Sequence, residues 1–299
     1  MILLLSVLEQ GMIYAIMALG VYITYKILDF PDLTVDGSFP MGAAITCTLI
    51  AGGMNPLLTL PIAFAAGALV GVFTGLIHVK LKVRDLLSGI IMMTALYTVN
   101  LRIAGKANLP IYNMNTIFDN DIVNSIFPEK MAAYKTVVII FIITVITKYL
   151  LDGYMNTKSG FLLRAVGDND VIVTSLGVDR GFVKIIGLAI ANGLVSLSGC
   201  VFAQQQRYFD ISMGTGTVVI GLASVIIGTS LFKKVTFFRV TSSVIIGSLL
   251  YKGCVALAIR MGLPSTDLKF ITAVLFLIIL VISMDRKKAG GRHVRVSEH

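Results

Sequence analysis

Apolar stretches alternate with short polar stretches along the whole chain. Each apolar stretch has about 20 residues, the length that a helix needs to cross a hydrocarbon core of roughly 30 Å. The pattern therefore predicts an all-α, polytopic integral membrane protein with about nine transmembrane or re-entrant helices. The expected limits are residues 8–27, 38–53, 57–79, 86–103, 134–152, 183–204, 216–232, 237–258 and 267–284. The second, fourth and seventh of these spans are short and rich in Gly, Ser and Thr, which allows tilted, broken or re-entrant helices there.

The composition agrees with this interpretation. Hydrophobic residues make up 56% of the chain and charged residues 14%, against roughly 25% charged residues in soluble domains. The net charge of +9 lies in short loops and in the tail, which indicates membrane topology rather than nucleic-acid binding. Lys and Arg are most frequent in the segments that face the cytoplasm if the N-terminus lies outside. We therefore expect an external N-terminus, a membrane domain over residues 1–285 and a basic cytoplasmic tail over 286–299.

Two polar segments between the expected spans are longer than turns. Residues 104–133 are rich in Asn and would lie outside the membrane, where they could meet an extracytoplasmic partner. Residues 154–182 would lie in the cytoplasm, and within them FLLRAVGDNDVIVTSLGV predicts one or two short helices separated at Gly167. A plain interfacial helix is the alternative for this second segment.

The segment KILDFPDLTVDGSFPMG, which follows the first span, holds an acidic cluster of Asp29, Asp32 and Asp36. Pro31, Gly37 and Pro40 in and around that cluster predict about a dozen residues without regular helix. Irregular backbone at membrane depth persists only where protein or water satisfies it. Two interpretations stay open at this point: a broken helix beside a transport pathway, and an ordinary cytoplasmic turn.

Small and polar residues inside the spans indicate helix packing. Ala63, Gly67, Gly71 and Gly75 repeat every four residues, so helix backbones can approach closely on that face. Ser, Thr and Asn residues within the fourth and sixth spans most simply form hydrogen bonds between helices, and contact with a solute is the alternative.

The sequence holds no reactive constellation that an enzyme would need. It has no G-x-x-x-x-G-K-[ST] phosphate loop and no H-E-x-x-H motif. Cys47, Cys200 and Cys254 lie in apolar stretches without metal-ligand spacing, so we expect neither a metal site nor a disulfide framework. No charged residue is expected deep within a span, Glu9 at the edge of the first being the nearest exception, which argues against an ion-coupled carrier.

Three stretches together resemble the membrane subunits of bacterial ABC importers of the branched-chain amino acid and ribose permease superfamily. The opening LEQGMIYAIMALGVYITYKILDFPDLTVDGSFPMGAA is similar to the family's first span, broken segment and start of the second span. SGFLLRAVGDNDVIVTSLGV is similar to its cytoplasmic coupling segment, and GLASVIIGTSLF to a Gly-bounded element late in the chain. DLTVDGSFPMGAA departs from the N-F-A-H-G-E-F pattern of branched-chain permeases and looks more like the subgroup paired with aromatic amino acid binding lipoproteins.

The resemblance implies a transport subunit, not an enzyme, in a bacterial cytoplasmic membrane. Two permease subunits, expected to be identical, would enclose a pathway for a small polar solute, an amino acid and possibly an aromatic one. An extracytoplasmic solute-binding protein would deliver the solute, and two cytoplasmic ATPase subunits would bind ATP, so this chain needs no cofactor of its own. A self-contained secondary carrier or channel, which needs no ATPase, is the alternative.

The resemblance also implies two sets of functional residues. The ATPase-coupling candidates are Arg164, Ala165, Gly167, Asp168, Asn169, Leu176 and Gly177. The solute-pathway candidates, chosen by position and polarity, are Thr34, Asp36, Ser38, Thr94, Asn100, Asn192 and Ser196.

Overall fold

The structure, a computed structural model, describes residues 2–126, 132–168, 170–175, 177–232 and 239–261, together with residues 270, 272–274, 276–278 and 281. The helices and strands of these residues follow one another in the order α1 (Ile2–Val21), a π-helix (Tyr22–Ile27), α2 (Val35–Ala51), a 3-10 turn (Pro56–Leu58), α3 (Thr59–Val79), α4 (Asp85–Ala104), β1 (Asn108–Pro110), α5 (Asp121–Ile126), α6 (Ala132–Met155), α7 (Lys158–Asp168), α8 (Asp170–Ser175), α9 (Arg180–Gln206), β2 (Tyr208–Asp210), a 3-10 turn (Ile211–Gly214), α10 (Thr217–Leu231) and α11 (Val240–Arg260).

Seven helical segments of the described residues are long and apolar enough to cross a membrane. They confirm a polytopic membrane protein, and they correspond to the first span and to the third through eighth spans expected from the sequence. The fourth, expected to be short, is a helix of 20 residues. The second span is α2, which has only 17 residues. The ninth span lies largely outside the described residues, and the tail over 286–299 lies wholly outside them.

Helix α9 packs against α1, α2 and α3. The small-residue stripe of α3 faces it, because a Cβ at Gly67 would collide with the Asn192 carbonyl and a Cβ at Gly71 with the Leu188 carbonyl. The predicted close packing is therefore confirmed, and it brings the middle of α9 to the backbone of α3.

The chain between the π-helix and α2 is irregular only over residues 28–34. Asp29 adopts a positive φ of 51°, and the Phe30 N–H donates to the Thr24 carbonyl at 2.9 Å. Gly37 and Pro40, expected to interrupt the helix, lie inside α2. The expectation was wrong because the Thr34 carbonyl accepts the N–H groups of Gly37 and Ser38 and so stabilises the first turn, and Pro40 removes only one later hydrogen bond.

One end of the bundle, which we call the loop end, carries residues 105–120 and a short two-stranded sheet. β1 pairs antiparallel with β2, with Leu109 opposite Phe209, so the all-α prediction needs this small correction. Arg207, in the left-handed conformation at the end of α9, donates to the Tyr112 carbonyl at 2.7 Å and to the Asp119 carboxylate at 2.6 Å. These bonds fasten the loop to α9.

The opposite end, which we call the α7 end, carries the two short helices α7 and α8. Gly167, where the sequence predicts a separation between two helices, lies within α7. Gly167 stays within α7 because the helix touches the end of the π-helix there: a Cβ at this position would collide with the Ile27 carbonyl.

Candidate functional site

A buried polar network joins the irregular segment to α2, α3 and α9. The Ser38 hydroxyl donates to Asn192 Oδ1 at 2.7 Å, and Asn192 Nδ2 donates to Asp32 Oδ2 at 2.8 Å. Asp32 Oδ1 accepts the Thr34 N–H at 2.9 Å, and the hydroxyls of Thr34 and Thr74 lie 3.2 Å apart. All five side chains are buried. Since Ser38 is buried and bonded to the middle of α9, α2 begins packed among other helices of the bundle and not in an exposed turn.

Asp32 is the acidic member of this network, and only 6% of it is exposed. Within the part of the chain that the structure describes, no ion pair to its carboxylate is found. Burial raises the pKa of the Asp32 carboxyl, and the hydrogen bonds from Thr34 and Asn192 oppose that shift. Within the described residues, the Asp32 carboxylate is therefore satisfied by neutral donors. Of these donors, Asn192 belongs to a distant part of the chain, the helix α9.

Of three further pathway candidates, Asn100 and Ser196 lie beside the network and Thr94 lies apart from it. Asn100 Nδ2 donates to the Gly37 carbonyl at 3.0 Å, and Asn100 Oδ1 has no partner among the described residues. The Ser196 hydroxyl donates to the Ala63 carbonyl at 2.7 Å, which links α9 to α3. Thr94 is exposed on α4, and its hydroxyl bonds within its own helix to the Ile90 carbonyl. The structure therefore brings Thr34, Ser38 and Asn192 into one network, with Asn100 and Ser196 beside it and Thr94 apart from it.

Asp36 is not bonded to this network, and its carboxylate caps the start of α10. Oδ1 accepts the Val218 N–H at 2.8 Å and the Thr217 hydroxyl at 2.9 Å, while Oδ2 accepts the Gly216 N–H at 3.0 Å. An acidic side chain at a helix N-terminus satisfies free N–H groups and interacts favourably with the helix dipole. The first turn of α2 is thereby held to the first turn of α10, where Val218 lies 182 residues after Asp36 in the chain.

The coupling candidates lie on and after α7, and they divide by exposure. Arg164 and Asp168 are exposed, and they share a face with the exposed Phe161, whose ring lies 5.9 Å from the Arg164 guanidinium. Ala165 and Gly167 are half-buried, Ala165 against the main hydrophobic core. Gly177 is exposed in a turn with a positive φ of 75°. Asn169 and Leu176 lie outside the described residues.

Sequence reasoning missed three residues of these sites. The sequence places Asp32 only within an acidic cluster, and its pattern does not lead to Thr74 or Phe161 as candidates. A signal for Phe161 was present, since Phe161, Arg164 and Asp168 follow the helical spacing of one face. For Asp32 and Thr74 no local pattern identifies the partner, because their contacts join residues far apart in the chain.

The expectation that no charged residue lies within a span also needs a correction. Lys252 lies inside α11, with its ammonium 3.9 Å from the centroid of the Tyr14 ring and 3.5 Å from Gln10 Oε1. Across the described residues, no group of three or more His, Cys, Asp or Glu side chains is placed to hold a metal ion.

A bundle of apolar helices, one of them broken around buried polar groups, is typical of multi-pass membrane transport proteins. The chain belongs to the family described as branched-chain amino acid transport system, permease component, whose model matches residues 3–284. It is thus a multi-pass permease component of an ABC transport system.

Curated relatives extend over most of the chain. It is 42% identical over 294 residues to a tyrosine transport system permease protein of Clostridioides difficile, covering 97% of this chain and 96% of the relative. It is 26% identical over 226 residues to a probable branched-chain amino acid transport permease protein of Methanocaldococcus jannaschii, covering 72% and 70%. It is 24% identical over 226 residues to a ribose import permease protein of Escherichia coli, covering 75% and 68%. No solved structure matches the chain significantly.

Proposed function

We propose that this chain forms the membrane pathway of an ABC importer for an amino acid, with tyrosine or another aromatic amino acid as the cargo. The observation that carries the proposal is the 42% identity, over nearly the full length of both chains, to a tyrosine transport system permease protein. The ribose permease is more distant, at 24% identity, which favours an amino acid over a sugar.

In this proposal, separate ATPase subunits bind ATP. They dock on the exposed face of α7. Phe161, Arg164 and Asp168 support it, because they combine an aromatic ring with charges of both signs on one exposed helix face. Gly167 brings that helix against the end of the π-helix. A movement of α7 would therefore press directly on the segment that leads into the broken helix.

Docking of the ATPase on α7 also sets the orientation of the chain in the membrane. The N-terminus and the loop end face outward, where a solute-binding protein docks, and the α7 end and the C-terminus face the cytoplasm. A second permease subunit, identical to this chain, completes the pathway in a bacterial cytoplasmic membrane. Thr94 lines the pathway on the exposed face of α4, and Thr34, Ser38, Asn100, Asn192 and Ser196 maintain the wall behind it.

The test exchanges the two charges on the exposed face that Phe161, Arg164 and Asp168 form on α7. In the double variant Arg164→Glu with Asp168→Arg the net charge is unchanged, but each charge contact that these two residues make with the ATPase is reversed. After purification from the native membrane in mild detergent, we expect the ATPase subunit to co-purify with the wild type and to be lost from the double variant, together with ATP-driven uptake of labelled tyrosine. Lys80→Glu is the control, because Lys80 is an exposed cation that follows α3 and lies outside α7.

Two results would contradict the proposal. If the wild type purifies without an ATPase and carries tyrosine across liposome membranes by itself, the self-contained carrier takes its place. If uptake requires ATP but responds to ribose and not to amino acids, the assignment of the cargo is wrong while the permease function stands.

A further inference from the structure

A buried carboxylate joins the end of α6 to the start of α11 at the α7 end. Asp152 of α6 is 5% exposed. Its Oδ2 accepts a hydrogen bond from the Lys148 ammonium at 2.9 Å and lies 3.4 Å from the Arg239 guanidinium, while its Oδ1 accepts the Thr241 hydroxyl at 2.7 Å. Lys148 lies on α6 itself, whereas Arg239 and Thr241 belong to the start of α11. We call Asp152, Arg239 and Thr241 together the Asp152 joint.

Stability alone does not account for the Asp152 joint. Burying a carboxylate removes it from water, and apolar residues of similar volume often stabilise such a contact as well or better. Helix α11 packs mainly on α1 and α10 and approaches α6 little, so little apolar contact accompanies the joint. Two bonds from α11 to one carboxylate instead fix the position of the first turn of α11 relative to α6.

On one side, the Asp152 joint lies close to the helix that carries the proposed docking face. Only residues 156–157 separate the end of α6 from the start of α7. This corner is tight, because a Cβ at Gly160 would collide with the Tyr154 carbonyl, and the hydroxyls of Tyr154 and Ser159 lie 2.9 Å apart. A displacement of α7 would therefore move the last turn of α6, where Asp152 lies.

On the other side, the Asp152 joint leads to the start of α2. Helices α11 and α10 touch through their backbones, since a Cβ at Gly228 of α10 would collide with the Ser243 carbonyl of α11. The first turn of α10 is in turn held by the Asp36 carboxylate of α2. Such a contiguous set of contacts can carry a movement between distant segments. It is separate from the contact between Gly167 and the π-helix.

We propose that the Asp152 joint couples the movement of α7 to α11 and α10, and through them to the start of α2. Arg239 and Thr241 are positioning residues in this scheme, because they act through α11 and not by contact with the solute. The inference rests on the proposed function, in which the ATPase docks on α7. Cutting the joint should separate ATP hydrolysis from uptake, whereas loss of a merely structural contact would lower both together.

The experiment cuts the two bonds from α11 and leaves the pair of Asp152 with Lys148 in place, so that the buried carboxylate keeps a cation. The cutting variant is Arg239→Gln with Thr241→Val. The conservative variant, Arg239→Lys with Thr241→Ser, keeps a cation and a hydroxyl and should preserve the joint. Arg239→Gln alone repeats the test should the cutting variant fail to fold, because the Arg239 side chain is 61% exposed.

Uptake and hydrolysis are measured on the complete complex of permease, ATPase and binding protein in liposomes, per folded permease. We expect the ratio of tyrosine uptake to ATP hydrolysis to fall about tenfold in the cutting variant, with the ATPase still bound, and to stay at the wild-type value in the conservative variant. Thr229→Val is the matched control, because the Thr229 hydroxyl bonds to carbonyls of its own helix. An unchanged ratio in the cutting variant, or equal falls in uptake and hydrolysis, would overturn the proposal.

Hydrogen–deuterium exchange in the first turns of α11 tests the same step independently of the cargo. Addition of a non-hydrolysable ATP analogue to the complex should change this exchange in the wild type and in the conservative variant, but not in the cutting variant. The same response in all three proteins, or none in the wild type, would overturn the proposal. An exchange response confined to the wild type and the conservative variant, without tyrosine uptake, would support the joint and show that the proposed cargo is wrong. A wild type that purifies without an ATPase would overturn both the joint and the proposed function.

Discussion

At the scale of single residues, Asn192 is the side chain on which the buried network depends. It accepts the Ser38 hydroxyl through Oδ1, and its Nδ2 donates to Asp32 Oδ2 and to the Leu188 carbonyl. An amide is required here, since only a group with both an acceptor and donors can serve a hydroxyl and a carboxylate together. A buried donor or acceptor left without its partner costs about 1 to 3 kcal/mol.

The variant Asn192→Asp should therefore lose stability in a pH-dependent way. Two carboxylates would then lie in contact, and the folded protein would keep a proton at a pH where the unfolded chain has released it. Since the folded state binds more protons than the unfolded state, stability falls as the pH rises through the raised pKa of the pair. Thermal unfolding in detergent at about pH 5 and about pH 8 should show a deficit, relative to wild type, that grows at the higher pH.

Asn192→Ala is the matched control for that experiment, because it removes the same hydrogen bonds without adding a carboxylate. Because the Asn192 bond favours the charged form of Asp32, the deficit of Asn192→Ala relative to wild type should also grow with pH, but by less than that of Asn192→Asp, which adds a second carboxylate. If the deficit of Asn192→Asp grew no more with pH than that of Asn192→Ala, the residue at this position would not contact the Asp32 carboxylate in the folded protein.

At the scale of elements, the limits of the spans were predictable and the start of α2 was not. A helix such as α9 follows from an uninterrupted apolar run that ends near charged residues, and both features are local in sequence. Helix α2 instead continues through Gly37 and Pro40, because groups of α9 and α10 hold its first turns. Local propensity opposes a helix there, and contacts between distant segments overcome it.

The cap that Asp36 places on α10 can be tested by Asp36→Asn. The amide keeps one acceptor oxygen but turns a donor towards either the Gly216 N–H or the Val218 N–H, and it removes the charge at the helix N-terminus. We expect a loss of about 1 to 2 kcal/mol in unfolding free energy, seen as a lower unfolding temperature. Asp85→Asn is the control, because the Asp85 carboxylate in the first turn of α4 accepts, among the described residues, only the N–H of its neighbour Leu86. Equal effects of the two substitutions would show that the bond between α2 and α10 adds nothing to stability.

At the scale of the whole molecule, glycine determines how closely the helices approach α9. Gly42 of α2 faces the Ser196 carbonyl, and the Phe39 carbonyl faces Gly199 of α9. The four-residue stripe on α3 predicted such an approach without naming its partner. Pairings such as β1 with β2, or Arg207 with Asp119, join segments about 90 to 100 residues apart and had no counterpart in the local pattern.

The approach of α3 to α9 leads to a paired prediction. In Gly71→Ala the new methyl group would collide with the Leu188 carbonyl, and backbone cannot yield as a flexible side chain does. We expect a loss of about 1 to 3 kcal/mol from overpacking, a lower unfolding temperature and less folded protein in the membrane. Gly153→Ala in α6 is the control, because a Cβ at that position meets nothing within 4 Å. That change should be neutral or stabilise the helix by up to about 1 kcal/mol, so a loss of the same size in both variants would show that α3 and α9 do not touch at Gly71.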